Sequence, residues 1–193
     1  AAVIHPTGTG KSLIAFKLAE ENPSKHFLWL SPSEYIYQTQ LEKLNMKFPN
    51  IQFMSYSRLM KNEDSIETLH LDYIILDEFH RCGAQEWGKS VRKLLDTYPN
   101  AKRLGLSATN IRYLDNQRNM AEEIFDGKIA SEMTLGEAIV REILPEPKYV
   151  IAMYSYQKEL EQLKKRIWTL SNQGLITENQ KLLEQLRRAL EHA

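Results

Sequence analysis

The sequence predicts an α/β fold, a parallel sheet flanked by helices, and three observations carry that reading. Along residues 1–109, short apolar runs alternate with segments long enough for helices, the pattern of strands joined by crossover helices. One of the runs, 26–30, is apolar at nearly every position, as expected of a strand buried on both faces. Polar turns follow the first, fourth and fifth runs, where open parallel sheets hold their ligands. With 193 residues and 42% hydrophobic content, the chain can bury the core of one domain and carry an appendage.

Residues 2–5 read as the first strand and 11–21 as a helix with Leu13, Ile14, Ala15 and Leu18 on its inner side. After strand 26–30, Ser31 reads as a helix N-cap with Pro32 at the first helical position and Glu34 closing a capping box, in a helix to about residue 47. Residues 51–56 form the third strand and 57–69 a polar helical connection. The fourth strand, 73–76, runs into Asp77, Glu78, Phe79 and His80. The spacing of Val91, Leu94, Leu95 and Tyr98 predicts a helix over 87–98, followed by a fifth strand over 103–106.

Further along, 116–125 reads as a helix, and 128–133 has no clear preference. Thr134 with Glu137 forms a second capping box that opens a helix to about residue 143. Residues 144–147 are extended around their prolines, and 149–154 read as a strand. From 155 the chain is polar and helical, with Tyr156, Leu160, Leu163, Ile167 and Leu170 along one seam and Leu183, Leu186 and Leu190 along another. A glycine turn between them predicts an antiparallel helical hairpin. The expected division is therefore 1–154 and 155–193, the latter an insertion or a lead-in to a further domain. Lys164, Lys165, Arg166, Arg187 and Arg188 are interspersed with glutamates, as on a solvated face.

The densest chemistry lies in His5, Pro6, Thr7, Gly8, Thr9, Gly10, Lys11 and Ser12. Two glycines let successive N–H groups turn inward at the start of a helix, whose dipole adds positive potential for a polyphosphate. Lys11 reaches the terminal phosphates and the Ser12 hydroxyl ligates Mg2+. His5 stands where the strict pattern has its first glycine. Asp77, delivered by the fourth strand, suits metal binding, and Glu78 suits polarising a water molecule. A lone histidine such as His80 is ordinarily a solvated imidazole, but its place three residues after Asp77 suits a reporter of nucleotide state. Ser107 and Thr109 either cap the turn after strand five or bond the acidic turn; spacing alone does not separate these. Cys82 has no partner base at a fixed spacing and reads as a bystander.

Taken in order, the set from His5 to Ser12, Asp77 to His80, and Leu106, Ser107, Ala108 and Thr109 resembles motifs I, II and III of superfamily 2 helicases and translocases of the DEAD/DEAH side. The resemblance implies a RecA-like P-loop NTPase domain that binds ATP and Mg2+ at Gly8, Gly10, Lys11, Ser12, Asp77 and Glu78. It implies coupling of hydrolysis to movement through His80, Ser107 and Thr109. Ser31 and Pro32 resemble a segment that touches the nucleic-acid backbone, and Tyr56 and Arg58 lie where a further strand-contacting segment occurs. Leu135, Gly136, Glu137, Leu144 and Pro145 resemble the linker-side region of bacterial translocases related to restriction-enzyme motors and mobile-element helicases. Asn110 departs from the proline usual after motif III, and nothing after Ser155 resembles motifs IV to VI. The resemblance thus implies a fragment whose partners are a second RecA-like domain outside this chain and nucleic acid, DNA favoured over RNA.

Composition sets limits on this reading. Lys and Arg number 25 against 25 Asp and Glu, so affinity for nucleic acid must be local. A single cysteine precludes an internal disulfide, and no apolar run approaches the ~18 residues of a membrane span, so a cytoplasmic setting is expected. The competing readings are a small-molecule kinase, which would not need all three motifs together, and a non-catalytic nucleotide-binding scaffold that recruits a partner through the hairpin.

Overall fold

The two central runs 27–30 and 73–76 are unbroken apolar sequence, and the strands of the main sheet pair in parallel because helices carry the chain back between them. The computed structural model describes residues 1–35, 39, 41–42, 47–61, 69–113, 117–148, 161–162, 164–166, 168–169 and 184. In chain order the strands are β1 (Ala2–Ile4), β2 (Phe27–Ser31), β3 (Ile51–Ser55), β4 (Tyr73–Asp77), β5 (Lys102–Ser107), β6 (Ile111–Arg112), β7 (Arg118–Asn119) and β8 (Ile129–Glu132). The helices are α1 (Lys11–Glu21), α2 (Tyr56–Lys61), α3 (Gln85–Thr97), α4 (Met120–Phe125) and α5 (Leu135–Val140), with a 3-10 turn at Phe79–Gly83. Six strands form one sheet in the order β3-β2-β4-β5-β1-β8, parallel at every pairing, while β6 and β7 make a small antiparallel ribbon.

Alternation along each strand divides the core between the two faces. Ala2, Ile4, Leu28, Leu30, Ile74 and Leu76 bury against Val91, Leu94 and Leu95 of α3 and Met120, Ala121 and Phe125 of α4. Val3, Phe27, Trp29, Tyr73, Ile75 and Leu106 bury on the other face against Ala15, Phe16 and Ala19 of α1. Phe16 is the hub there, with its ring centroid 4.8 Å from that of Trp29 and stacked 4.9 Å from Phe48. This is the predicted α/β sheet flanked by helices.

Several local expectations are corrected. Leu13 and Ile14 lie 50% and 40% exposed, because small Ala15 and Ala19 beside Phe16 let α1 approach the sheet closely on its other side. Ser31 ends β2 rather than capping a helix; its hydroxyl donates to the Ser33 carbonyl at 2.7 Å, and Glu34 pairs with Arg58 at 3.5 Å. Tyr56 opens α2 instead of ending β3. The helix expected over 116–125 starts at Met120, capped by the Asn119 side chain, because 118–119 are used in the ribbon. Thr134 does cap α5 by accepting from the Glu137 N–H at 3.1 Å, but that helix ends at Val140.

The chain divides into Ala1–Glu146 and Pro147–Ala193. In the second unit residues 147–148 lie outside helix and strand, the described residues 161–162, 164–166, 168–169 and 184 are helical, and Lys164, Lys165 and Arg166 are exposed. The hairpin seam residues, Arg187, Arg188 and the strand expected over 149–154 lie outside the described residues.

One glycine decides how the acidic turn is held. Phe79 and Phe125 meet edge to face across Gly105 of β5, and a Cβ there would lie 2.4 Å from Phe125 Cζ and 2.8 Å from Phe79 Cδ1. Only hydrogen fits at this strand position, so the Phe79 ring anchors the turn directly after Asp77 and Glu78. Gly105→Ala is expected to lower unfolding stability by about 1–3 kcal/mol, the usual range for forcing carbon into a packed core. Chemical denaturation measures this, and a loss within about 0.5 kcal/mol would mean that the two rings yield freely.

Candidate active site

Parallel pairing brings the three motif-bearing turns to one edge of the sheet. Ile4 pairs with Ser107 across β1 and β5, and Asp77 pairs with Leu106 across β4 and β5, so β1, β5 and β4 all release their chains side by side. Only β5 separates the strand leading to Lys11 from the one ending in Asp77. Two inter-strand steps span about 10 Å.

Gly8 and Gly10 hold φ of 91° and 85°, the left-handed region that the turn needs and that favours glycine. Gly10 then serves as N-cap of α1. Lys11 is buried, and its ammonium donates to the carbonyls of His5 at 2.9 Å and Pro6 at 3.2 Å. Burial lowers the Lys11 pKa, opposed by the negative charges of Glu78 and Asp77. The Thr9 hydroxyl closes the loop on the Pro6 carbonyl at 2.8 Å; Thr7 is exposed and Ser12 half-buried.

Asp77 is 7% exposed, and burial followed by the neighbouring Glu78 charge pushes its pKa up to about 6. The Glu78 N–H, Lys11 and the Trp29 indole pull the other way. The indole Nε1–H makes no hydrogen bond of ordinary geometry, so its effect on Asp77 is that of a nearby dipole rather than a formed bond. Glu78 itself stands at φ 51°, a conformation that costs a non-glycine residue of order 1–3 kcal/mol. A buried, reluctant carboxylate, a strained acid and a desolvated lysine at one edge form a donor set suited to a dication and phosphate oxygens.

His80 is linked to the fifth strand. Its Nδ1 lies 2.8 Å from the Ser107 hydroxyl and 3.3 Å from Glu78 Oε2, and the same Ser107 oxygen accepts from the Thr109 N–H at 3.2 Å. Of the two roles left open for Ser107 and Thr109, bonding the acidic turn holds for Ser107, while the Thr109 hydroxyl closes its own turn on the Ile111 N–H at 3.1 Å. Burial lowers the His80 pKa against the raising effect of Glu78.

The expected strand-contacting residues divide. Arg58 is exposed and Pro32 half-buried at the surface, but Ser31 is fully buried and Tyr56 nearly so. The Tyr56 hydroxyl donates to the Asp77 carbonyl at 2.8 Å and its ring stacks on Trp87, so these two side chains are inaccessible to a polymer and act as packing. Cys82 is buried and its thiol is pushed up to about 12, which makes it inert at neutral pH.

Two connections lie beyond sequence reasoning. The His5 ring, in the place of the first glycine, bonds the Ser131 hydroxyl of β8 at 2.8 Å, and Tyr56 supports the acidic strand tip from below. Neither has a spacing signal, because each joins residues brought together only by the sheet.

Residues 41–112 match the family model described as type III restriction enzyme, res subunit. The matched stretch contains the acidic turn and the Ser107 to Thr109 turn, though not the glycine loop. Among solved structures, the chain is similar to the crystal structure of the Pyrococcus furiosus Hef helicase domain, with a TM-score of 0.59 and 16% identity over 86% of this chain. The chain has a RecA-like α/β fold. This domain has no match among curated proteins. The chain spans 42% of the length of the Hef structure. Among the described residues, no helix of the RecA-like domain or of the second unit is long and apolar enough to cross a membrane.

The electrostatics of Asp77 make a prediction about the folded domain without divalent metal. A carboxyl whose pKa rises from 3.8 to about 6 on folding favours the folded state below pH 3.8 and loses that contribution as pH rises through 6. Asp77→Asn should therefore be more stable than the parent at pH 8, by at most about 3 kcal/mol, with the gap closing near pH 4. Thermal unfolding across this range tests it; equal stability at pH 8 would contradict it.

Proposed function

We propose that this chain is the ATP-binding half of a nucleic-acid-dependent ATPase, a helicase or translocase that binds Mg-ATP and couples its hydrolysis to movement, on DNA in preference to RNA. The observation that carries the reading is that β1, β5 and β4 end side by side at one edge of the sheet, so that the glycine loop before Lys11 and the acidic turn of Asp77 and Glu78 leave the sheet on the same side. In this reading Pro6, Thr7, Gly8, Thr9 and Gly10 wall the phosphate site, and Lys11 places its positive charge on the terminal phosphates. Ser12 and Asp77 hold Mg2+, which when bound supplies neutralisation of the phosphate charge. The buried Asp77 carboxylate, costly to ionise beside Glu78, is stabilised by a dication.

Glu78 orients water and accepts its proton, a role helped by a half-buried position beside His80. His80, bonded to Ser107 and adjacent to Glu78, passes a change at the acidic turn to strand β5 and the turn at Thr109. A second RecA-like domain is the proposed partner, supplying arginines against charge developing on the transferred phosphoryl group, an effect of orders of magnitude in rate.

Titration calorimetry with Mg2+ and a non-hydrolysable ATP analogue tests the site in the 193-residue chain. Saturable binding is expected, weakened about tenfold or more, or about 1.4 kcal/mol, by Lys11→Ala. Steady-state turnover of the chain alone should stay far below that of complete motors. Absence of analogue binding by the folded parent chain would overturn the reading, and rapid turnover abolished by Lys11→Ala would remove the need for a second domain.

A further inference from the structure

The edge of the sheet opposite the acidic turn carries a cluster that the motor reading does not use. His26 directly precedes β2 and Asp72 directly precedes β4, and the Phe27 to Tyr73 pairing sets these two residues side by side. Their backbones are tied: the Asp72 and Tyr73 N–H groups both donate to the His26 carbonyl, at 2.9 and 3.1 Å, and the His26 N–H donates to Asp72 Oδ2 at 2.9 Å. His70 comes in from the chain entering β4, its ring edge-on to that of His26 at 5.5 Å. One ligand atom from each of His26, His70 and Asp72 lies within 4.8 Å of the others, and both histidines are exposed.

We propose that His26, His70 and Asp72 form a binding site for a zinc-class divalent transition metal. Two imidazoles and one carboxylate are the donor set of borderline ions such as Zn2+ and Co2+, whereas Mg2+ and Ca2+ select oxygen. Tetrahedral bonds of about 2.0–2.1 Å place ligand atoms about 3.3 Å apart, so closure needs only side-chain rotation about strand ends already held in register. Asp72 is set for this: its carboxylate is oriented by the His26 N–H at 2.9 Å on one oxygen and by Lys25 on the other. Lys25, whose ammonium lies 3.0 Å from Asp72 Oδ1, is the competing cation, and its half-exposed side chain is free to yield to a double charge. Three protein ligands leave a coordination position for water, and the ion staples the chain entering β4 to the start of β2.

Co2+ titration of the full chain, followed by visible absorption, tests the site independently of nucleotide binding. The expected result is one saturable equivalent, displaced by Zn2+ and not by Mg2+, with Zn2+ raising the melting temperature. His70→Gln and His26→Gln, both at exposed positions, should each weaken binding about tenfold or more while leaving the metal-free melting temperature unchanged. Asp77→Asn should leave the cobalt signal intact. No saturable equivalent, full affinity in His70→Gln, or loss of the signal in Asp77→Asn instead would each overturn the proposal.

Discussion

The site rests on parallel register across three strands. Pairing of Ile4 with Ser107 and of Leu106 with Asp77 brings the ends of β1, β5 and β4 to one edge, and every polar feature of the site hangs from those ends. A slip of one residue in either pairing would carry Ile74 and Leu76, or Val3 and Leu106, from the cluster each fits to the opposite helix-covered face. The apolar content of the two faces therefore enforces the placement of the charged groups. Gly105 completes the constraint, since its missing side chain admits the Phe79 ring that pins the turn after Asp77.

Around that edge the protein holds charge under unfavourable conditions. Asp77 is buried beside Glu78, Glu78 is in a left-handed conformation, and Lys11 is desolvated against backbone carbonyls. Each of these costs free energy in the folded chain, and the two packed faces of the sheet offset that cost. Such clustering of strain and displaced pKa is what supports the proposed nucleotide site at this edge. Under it, the Tyr56 bond to the Asp77 carbonyl and the His80 bond to Ser107 stiffen the acidic turn from two directions.

The 16% identity to the Hef helicase domain at a TM-score of 0.59 follows from the same division of labour. A two-faced sheet needs apolar residues of suitable volume, and many combinations satisfy it. His5 illustrates the freedom: where a glycine would leave backbone alone, its ring is buried and reaches Ser131, which fastens β8 beside β1.

By itself the sequence determined the alternation of strands and helices, the glycine loop, the acidic strand tip and the serine-threonine turn, because each is a local pattern of apolar period or turn chemistry. It also raised the expectation that Lys11, Asp77 and Glu78 serve one chemistry. Burial of Leu13, Ile14, Ser31 and Tyr56 was misjudged or unforeseen, since the inner side of a helix or turn depends on which neighbour approaches it. Only the tertiary structure decided that Ser107 bonds His80, that Tyr56 is a support rather than a surface contact, and that His26, His70 and Asp72 converge. Those relations join residues far apart in the chain, and no local spacing encodes a distance that the sheet alone creates.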